Sequence, residues 1–471
     1  MGKKKHRSKS VGVSRRVFLA IAGTSASAAM AGCSSSDNNA GENTSSTDEP
    51  RTSQSKTATE TRSTSTRTTT QEQSIITTKA TTTATATTTQ KPTSESTPTD
   101  RRTTIAPTPA KTDTSTTETP TVTPSPSSAV GKWDEKALLP VVQSDAGSGV
   151  LDGKLYVYGG IKTAPGLDAV ARAFSYDPTD SPAGSWRRIE DLPQPLWGNC
   201  GIATNTALYS FGGAPQDGPY SGPPPSDAIF KYAPDSGWEN LTATQDVRCP
   251  YRNWVMKGLY NPADGLIYCL GGGTAVTDRE SATDHGDDEE VPGSYDENRI
   301  WTYDPETDQV SNPDLARMPT AKRWITVALV EVDGQQYIHA IGGLLGTTGP
   351  TNSNFRYDIE AGRWERMEPI PRQGVYATHS NPVIRNQVYL THGMFWEGRS
   401  TIDRYKLAAH RYDPVADTFD TELSRPQHLR GGASCGVIDE TLYVVGGHLK
   451  RFDEEGLHDA VAYNEAFTPS S

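Results

Sequence analysis

The sequence predicts an all-β domain at residues 131–471, built from six copies of one strand unit and preceded by a long tract that buries nothing. Three observations predict it. No Phe, Tyr or Trp occurs between Phe18 and Trp133; an apolar strand ending in a glycine pair then recurs six times; and a tyrosine strand follows each recurrence. Residues 34–128 hold 49 Ser or Thr in 95 positions. Such a tract has almost nothing to bury against the cost of ordering its backbone, so it is expected to be disordered.

Residues 1–33 read as an address rather than as fold. A basic stretch at 3–9 precedes Ser14-Arg15-Arg16-Val17-Phe18-Leu19, and a weakly apolar Ala/Gly/Ser/Thr run leads to Met30-Ala31-Gly32-Cys33. Arg15 and Arg16 resemble the twin-arginine (Tat) signal that exports folded proteins, and the last four residues resemble a lipobox, in which Cys33 becomes the lipidated first residue of the mature chain. Met30 and Ala20 stand where Leu and Lys are usual. The alternative is the basic, Ala-rich start of a cytoplasmic protein. Because the apolar run is too short and too weak to span a bilayer, anchoring to the outer face of the cell membrane is expected through the lipid alone. Residues 34–130 then form a Ser/Thr-rich linker, a stalk about 55 Å across as a coil and up to roughly 290 Å if extended. Its composition suits O-glycans, and sequons stand at Asn43 and Asn240.

Charge divides at the same boundary. Residues 130–471 hold 47 Asp/Glu against 29 Lys/Arg, net −18, while residues 1–129 hold 10 against 16, net +6. An acidic globule argues against nucleic acid as a partner, because phosphate is contacted through Lys and Arg. It also fits a salt-loving organism.

The repeat decides the fold. Its strand reads LYVYGG at 155–160, LYSFGG at 208–213, IYCLGG at 267–272, IHAIGG at 338–343, VYLTHG at 388–393 and LYVVGG at 442–447. Only the fifth copy loses its first glycine, to His392. The tyrosines that follow are Tyr176, Tyr232, Tyr303, Tyr357, Tyr412 and Tyr463, spaced 56, 71, 54, 55 and 51 residues apart. A short turn later comes an aromatic, Trp186, Trp238, Trp364 or Phe419, with Val310 in its place in the third copy.

This pattern closely resembles the kelch repeat over nearly all of 131–471. The resemblance implies a six-bladed β-propeller of four-stranded antiparallel blades, with glycine pairs in the crowded inner part and Tyr and Trp between blades. The sixth copy ends at 463–467 without a fourth-strand aromatic, whereas Gly131-Lys132-Trp133 stands unpaired at the front. The N-terminal strand is therefore expected to complete the last blade and close the ring.

Loop lengths choose a working face. Turns between first and second strands are tight, as at Asp152-Gly153 and Asp333-Gly334, and so are those between third and fourth. The long loops after the glycine pairs and the crossings from blade to blade share the other face. Those crossings carry Trp197 and Asn199; Arg252, Asn253 and Trp254; Lys322, Arg323 and Trp324; Arg372 and Tyr376; and His428 and Arg430. Arg mixed with aromatics supplies hydrogen bonds and stacking surfaces, so this set is the candidate ligand face near the channel mouth. Kelch proteins often bind from this face. A basic residue after Pro at a first-strand start also belongs to the repeat itself, where it anchors the turn.

No metal or cofactor is expected. The longest loop, 274–296, gathers Asp278, Glu280, Asp284, Asp287, Asp288, Glu289 and Glu290. Such a cluster suits calcium, but no twelve-residue loop with regular ligand spacing is present, and a solvated acidic loop has the same composition. No H-E-x-x-H occurs, and His339 takes a strand slot that holds Tyr in the other five copies, which favours packing. Kelch propellers include copper-dependent galactose oxidases, yet their His/Tyr constellation cannot be placed on this chain. Past Cys33 the cysteines are Cys200, Cys249, Cys269 and Cys435, without C-x-x-C; in an exported protein Cys200 and Cys249 are the first pair to test for a disulfide.

The leading functional reading is a surface-tethered, monomeric recognition module for a carbohydrate or a surface protein. The rival is an exported sugar-active enzyme. It follows from the resemblance, since six-bladed exported kelch propellers include sialic acid mutarotases that use Glu and Arg near the channel; Arg252, Arg323, Arg372 or Arg430 would supply the arginine and Glu397 or Asp403 the acid or base. A purely structural surface-layer component is compatible too and predicts no concave polar site.

Overall fold

The computed structural model describes residues 130–216, 223–275, 294–346, 349–395, 404–405, 408–451 and 457–470, all within the compact unit Ser115–Ser471. Arg15, Arg16, Cys33, the linker before Val130, the acidic residues of the 274–296 loop between 276 and 293, Glu397 and Asp403 lie outside the described residues.

Among the described residues the architecture is nearly all β, with one short helix, Leu241–Gln245, capped by the Asn240 side chain. Six four-stranded antiparallel sheets carry it. Sheet I comprises Gly147–Leu151, Lys154–Tyr158, Ala173–Asp177 and Ser185–Arg188; sheet II Cys200–Ala203, Leu208–Phe211, Ile229–Ala233 and Gly237–Asn240; sheet III Lys257–Asn261, Leu266–Leu270, Arg299–Asp304 and Gln309–Arg317. Sheet IV comprises Thr326–Val332, Gln335–Ile341, Asn354–Asp358 and Arg363–Arg366; sheet V Val383–Ile384, Gln387–Thr391, Ala409–Asp413 and Thr418–Asp420. Sheet VI takes Ser434–Ile438, Thr441–Val445 and Asn464–Thr468 from residues near 471 and Lys132–Glu135 from the start of the β domain. This arrangement is consistent with a propeller.

The repeat residues occupy one register. Leu155 faces Tyr176, Leu208 faces Tyr232, Ile267 faces Tyr303, Ile338 faces Tyr357 and Val388 faces Tyr412. Across the next ladder Tyr176 meets Trp186, Tyr232 meets Trp238, Tyr357 meets Trp364 and Tyr412 meets Phe419, with ring centroids 4.9, 5.2, 5.1 and 4.8 Å apart. In sheet VI, Leu442 faces Phe467, not Tyr463, and Phe467 meets Trp133 at 5.2 Å. The sixth tyrosine slot is thus filled by Phe467, four residues beyond the expected Tyr463, which stacks instead on His428.

Glycine at the end of the second strand is enforced by contact as well as by dihedral. Gly160 has φ +96°, and a Cβ there would sit 2.4 Å from the Ser144 carbonyl oxygen. His392, in the slot of the first glycine, Gly159 at φ +74°, holds a positive φ of 53° without being glycine, and an interior hydrogen-bond network fixes it there.

Six apolar clusters lie between sheets I and II, II and III, III and IV, IV and V, V and VI, and VI and I. First strands of neighbouring sheets also touch: the Ser148 hydroxyl donates to the Cys435 carbonyl at 2.9 Å and the Thr326 hydroxyl to the Thr378 carbonyl at 2.6 Å. Past the glycine pairs the chain builds four smaller sheets, Gly273–Ala275 with Ser294–Asp296, Leu344–Leu345 with Gly349–Pro350, Met394–Phe395 with Arg404–Tyr405, and His448–Arg451 with Leu457–Ala460 and Ala164–Pro165.

Candidate functional site

Those smaller sheets decide what the crossings can reach. Each crossing makes an antiparallel bridge to the residue just past a glycine pair: Trp197 to Ala214, Trp254 to Gly273, Arg323 to Leu344, Val375 to Met394. The crossings thereby become an inner layer, covered from above. Trp197, Trp254 and Trp324 pack edge to face at 5.1 and 5.3 Å in one apolar cluster with Ile161, Leu344 and Met394, and all are buried. This cluster joins residues from the segments around sheets I to V.

The expected arginine ring divides accordingly. The Arg323 guanidinium is buried over the rings of Trp254 and Trp324, at 5.4 and 5.6 Å, and is ion-paired with Asp296. Arg430 is fully buried, paired with Glu465 and donating to the Val444 and His428 carbonyls at 2.9 Å each. Glu465 in turn accepts from His392 at 3.0 Å and from the Gln427 amide at 2.6 Å. Burial pushes the Glu465 carboxyl up, but the His392 hydrogen bond and the Arg430 charge more than reverse this, to about 2; burial and Arg430 together lower His392 to about 4. Tyr376 is buried, its hydroxyl donating to the Arg372 carbonyl at 2.9 Å. Lys322, also buried, donates to the Ala340 carbonyl and the Ser353 hydroxyl, and burial with Arg366 lowers it to about 7. Seven crossing residues expected to face a ligand, Trp197, Trp254, Lys322, Arg323, Trp324, Tyr376 and Arg430, are therefore built into the interior; Asn199 and Asn253 are buried with them. Arg252 is half-buried with a partner of its own. His428 lies flat on Tyr463 at 3.9 Å with its Nε2 2.8 Å from Glu135.

Arg372 remains on the surface, and the structure adds neighbours that its sequence position did not suggest. A cavity of about 460 Å³ beside sheet V is lined by Arg372, Tyr405, His410, Thr421, Arg425 and Leu429, with Ala408 and Ala409 at its base. The Arg372 guanidinium sits 4.6 Å above the Phe395 ring. Among the described residues neither Arg372 nor Arg425 pairs with a carboxylate, and neither ring nitrogen of His410 has a hydrogen-bond partner. Burial and the Arg372 charge lower the His410 pKa, which keeps its ring neutral at neutral pH. The Tyr405 hydroxyl is 2.8 Å from His448 Nδ1, so the ring is held as a wall. Two unpaired guanidiniums, a neutral imidazole and an aromatic wall suit a ligand that carries a carboxylate among hydroxyls.

His339 is buried, its Nδ1 2.9 Å from Asn354 Oδ1 and its ring against Tyr412, and burial lowers it to about 4. Ser144 meets His458 Nε2, in the three-stranded small sheet, at 2.6 Å, and both are buried, beyond a substrate's reach. The expected Cys200–Cys249 disulfide is absent: Cys200, Cys249, Cys269 and Cys435 are free and buried. Burial drives the Cys249 and Cys269 thiols up, which keeps them inert. Among the described residues no group of three or more His, Cys, Asp or Glu is placed to hold a metal ion.

No family model matches the chain. Kelch-like protein terF of Aspergillus terreus (strain NIH 2624 / FGSC A1156) is 25% identical over 168 residues, an alignment covering 29% of this chain and 34% of that protein. The chain thus spans about a third of the length of this curated relative. A solved structure described as "Structure of YjhT" superposes with a TM-score of 0.54 at 15% identity, covering 71% of this chain and 97% of the other. At that identity the likeness concerns the fold alone. Together the two comparisons support a kelch-repeat family.

Proposed function

We propose that the chain is a six-bladed kelch propeller, closed by the Trp133 strand, that recognises a carboxylate-bearing carbohydrate or acidic surface protein through the Arg372, His410 and Arg425 cavity. Closure draws support from the pairing of Trp133 with Phe467 and from the apolar cluster between sheets VI and I. The carrying observation for recognition is a pair of exposed guanidiniums that, among the described residues, have no carboxylate partner, on a domain of net charge −18. On so acidic a surface, arginines would ordinarily be neutralised by neighbours, and leaving two unpaired in a concavity marks a place for an incoming anion. Export through Arg15 and Arg16, anchoring through Cys33 and the linker as a stalk complete the reading: a sensor held away from the membrane.

The test is a glycan array with the purified full chain, followed by calorimetry on the strongest hit. Arg372→Ala and Arg425→Ala should each weaken binding; unchanged affinity in both would remove the cavity from the argument.

One observation favours a sugar-active enzyme as the second reading. His410, neutral and beside Arg372, is placed to take a proton from an anomeric hydroxyl while the guanidinium holds a carboxylate. Burial takes Arg323 and Arg430 out of that role. Interconversion of sugar anomers followed by proton NMR separates the readings, since a recognition module leaves the uncatalysed rate unchanged.

A further inference from the structure

A space of about 340 Å³ lies among the first strands of sheets I, II, III, V and VI, at the end nearer the tight turns, and the repeat determines what surrounds it. In each sheet one first-strand residue stands opposite the first apolar residue of the repeat strand. These are Val150 opposite Leu155, Ala203 opposite Leu208, Tyr260 opposite Ile267, Leu329 opposite Ile338, Val383 opposite Val388 and Val437 opposite Leu442. All six are half-buried, and each packs at the margin of a different one of the six inter-sheet clusters. Every cluster therefore leaves one apolar side chain partly uncovered at the same level, and five of the six line the space. The exception has a cause in sheet V, where the Leu329 amide donates to the Asn381 side chain at 2.9 Å and the Val327 amide to the His379 carbonyl at 2.9 Å. Leu329 lines instead an adjoining hollow of about 380 Å³, with Glu331 and Asn386, and Val383 borders both.

Two residues further in, the lining becomes Ser148, Gly201, Gly258 and Cys435, all small. Neighbouring first strands approach closely there: a Cβ on Gly201 would lie 2.2 Å from the Ser148 amide nitrogen, and one on Gly436 2.6 Å from Val150 Cγ2. Beyond this level the room falls to about 10 Å³ beside Lys257, His379 and Ser434, enough for about one water. The buried Lys257 also disfavours a second positive charge at that depth.

Two residues further out, the same six positions read Asp152, Asn205, Pro262, Glu331, Arg385 and Asp439. Arg385 is bonded to Glu440, and the nearby Lys154 to Asp177 at 3.1 Å. Among the described residues no cationic side chain pairs with Asp152, Glu331 or Asp439, and all three are exposed. The opening is thus apolar at one level and edged by unneutralised carboxylates at the next. An anion is repelled at such an edge, and a neutral apolar molecule leaves the carboxylates unused.

We infer that this cavity is a binding site for a small organic cation with an apolar body, an aryl- or alkylammonium, held body inward against Val150, Ala203, Tyr260, Val383 and Val437 with its charge outward among Asp152, Glu331 and Asp439. The volume lies at the lower end of small-molecule sites, about 300–1,000 Å³, and the Tyr260 ring adds a face that attracts a cation. The site is independent of the cavity beside sheet V and takes the opposite charge.

The probe is phenethylammonium, titrated into the full chain and followed by ligand-observed NMR. In separate arms, 2-phenylethanol offers the same body without the charge, and ethylammonium the charge without the body. Saturable phenethylammonium binding, about fivefold or more tighter than either comparator, is the expected result. Ala203→Phe, which fills the mouth, should abolish it. Asp152→Asn with Glu331→Gln and Asp439→Asn should weaken it by about fivefold or more without moving the melting temperature. Asp152 and Asp439 sit at φ 51° and 46°, which asparagine also tolerates. Should Ala203→Phe fail to fold, the comparators and the triple variant decide, since the triple variant alters exposed side chains only. No saturable binding, a comparator that binds as tightly as phenethylammonium, or binding indifferent to either folded variant would overturn the inference.

Discussion

Replacing Trp133 by Ala removes the side chain that joins the first strand of the β domain to its last. Trp133 is 7% exposed; its indole N–H donates to the Ser424 carbonyl at 2.9 Å, and its ring meets Phe467 at 5.2 Å and His392, edge to face, at 5.4 Å. Burying a tryptophan removes roughly 150–250 Å² from water, worth about 4–6 kcal/mol at 25 cal/mol per Å². Truncation then leaves a cavity between sheets V and VI, and the expected loss is about 3–5 kcal/mol, in line with core aromatic truncations. For a domain of this size that shifts the melting temperature by roughly 4–7 °C, read by calorimetry. The control is Lys132→Ala, one residue away, whose side chain is 75% exposed and whose ion pair with Asp134 is worth little. If Trp133→Ala melts within 1 °C or so of Lys132→Ala, or if removing 34–128 costs as much, the role given to the first strand is wrong.

Acid should destabilise the fold in two stages. His392, at about 4 in the fold, stays neutral while the unfolded chain protonates below 6.5, so stability declines from there; Glu465, at about 2, adds a second loss as pH falls below 4.5. Urea midpoints at stepped pH should show both, and Glu465→Gln, weaker overall because Arg430 loses its counter-charge, should lack the lower one. Arg323→Ala should lower stability by about 3–5 kcal/mol, whereas Arg372→Ala and Arg425→Ala should leave the melting temperature alone and cost about 1–3 kcal/mol each in ligand binding. Lys154→Ala and Arg363→Ala, on the tight-turn face, should leave that affinity unchanged. Arg15→Lys with Arg16→Lys should hold the precursor inside the cell, and Cys33→Ser should release the protein from membranes; detergent fractionation checks both.

The repeat was legible because its constraints are local. A glycine pair at a strand end and an aromatic two strands on are imposed by each sheet on its own sequence, and Leu155 facing Tyr176 needs no knowledge of any other sheet. The sixth copy misled because Tyr463-Asn464 imitates the Tyr-Asp-Pro of its siblings, while the true register is set by a partner at the far end of the chain, Trp133. The crossings misled for a related reason. Arg and Trp side by side compose a ligand ring and a covered cation equally well, and only the bridges past the glycine pairs, such as Arg323 to Leu344, reveal the cover. The cavity beside sheet V draws on Arg372, His410 and Arg425, from three separate segments with no shared motif.

The shared sixth sheet also has a consequence in time. The Gly131 amide donates to the Ser470 hydroxyl at 2.9 Å across 339 residues of sequence. Bringing such distant points together costs about 5 kcal/mol of chain entropy before any contact rewards it, against about 1–2 for a short hairpin. Sheet VI therefore completes only after residues 464–468 have been synthesised, later than the other five sheets. Until then its Asn464–Thr468 strand has an open edge and Trp133 has no pocket, so the nearly finished molecule is at its most adhesive just before it is done. A chain built this way benefits from pairing those two strands before it meets other unfolded chains.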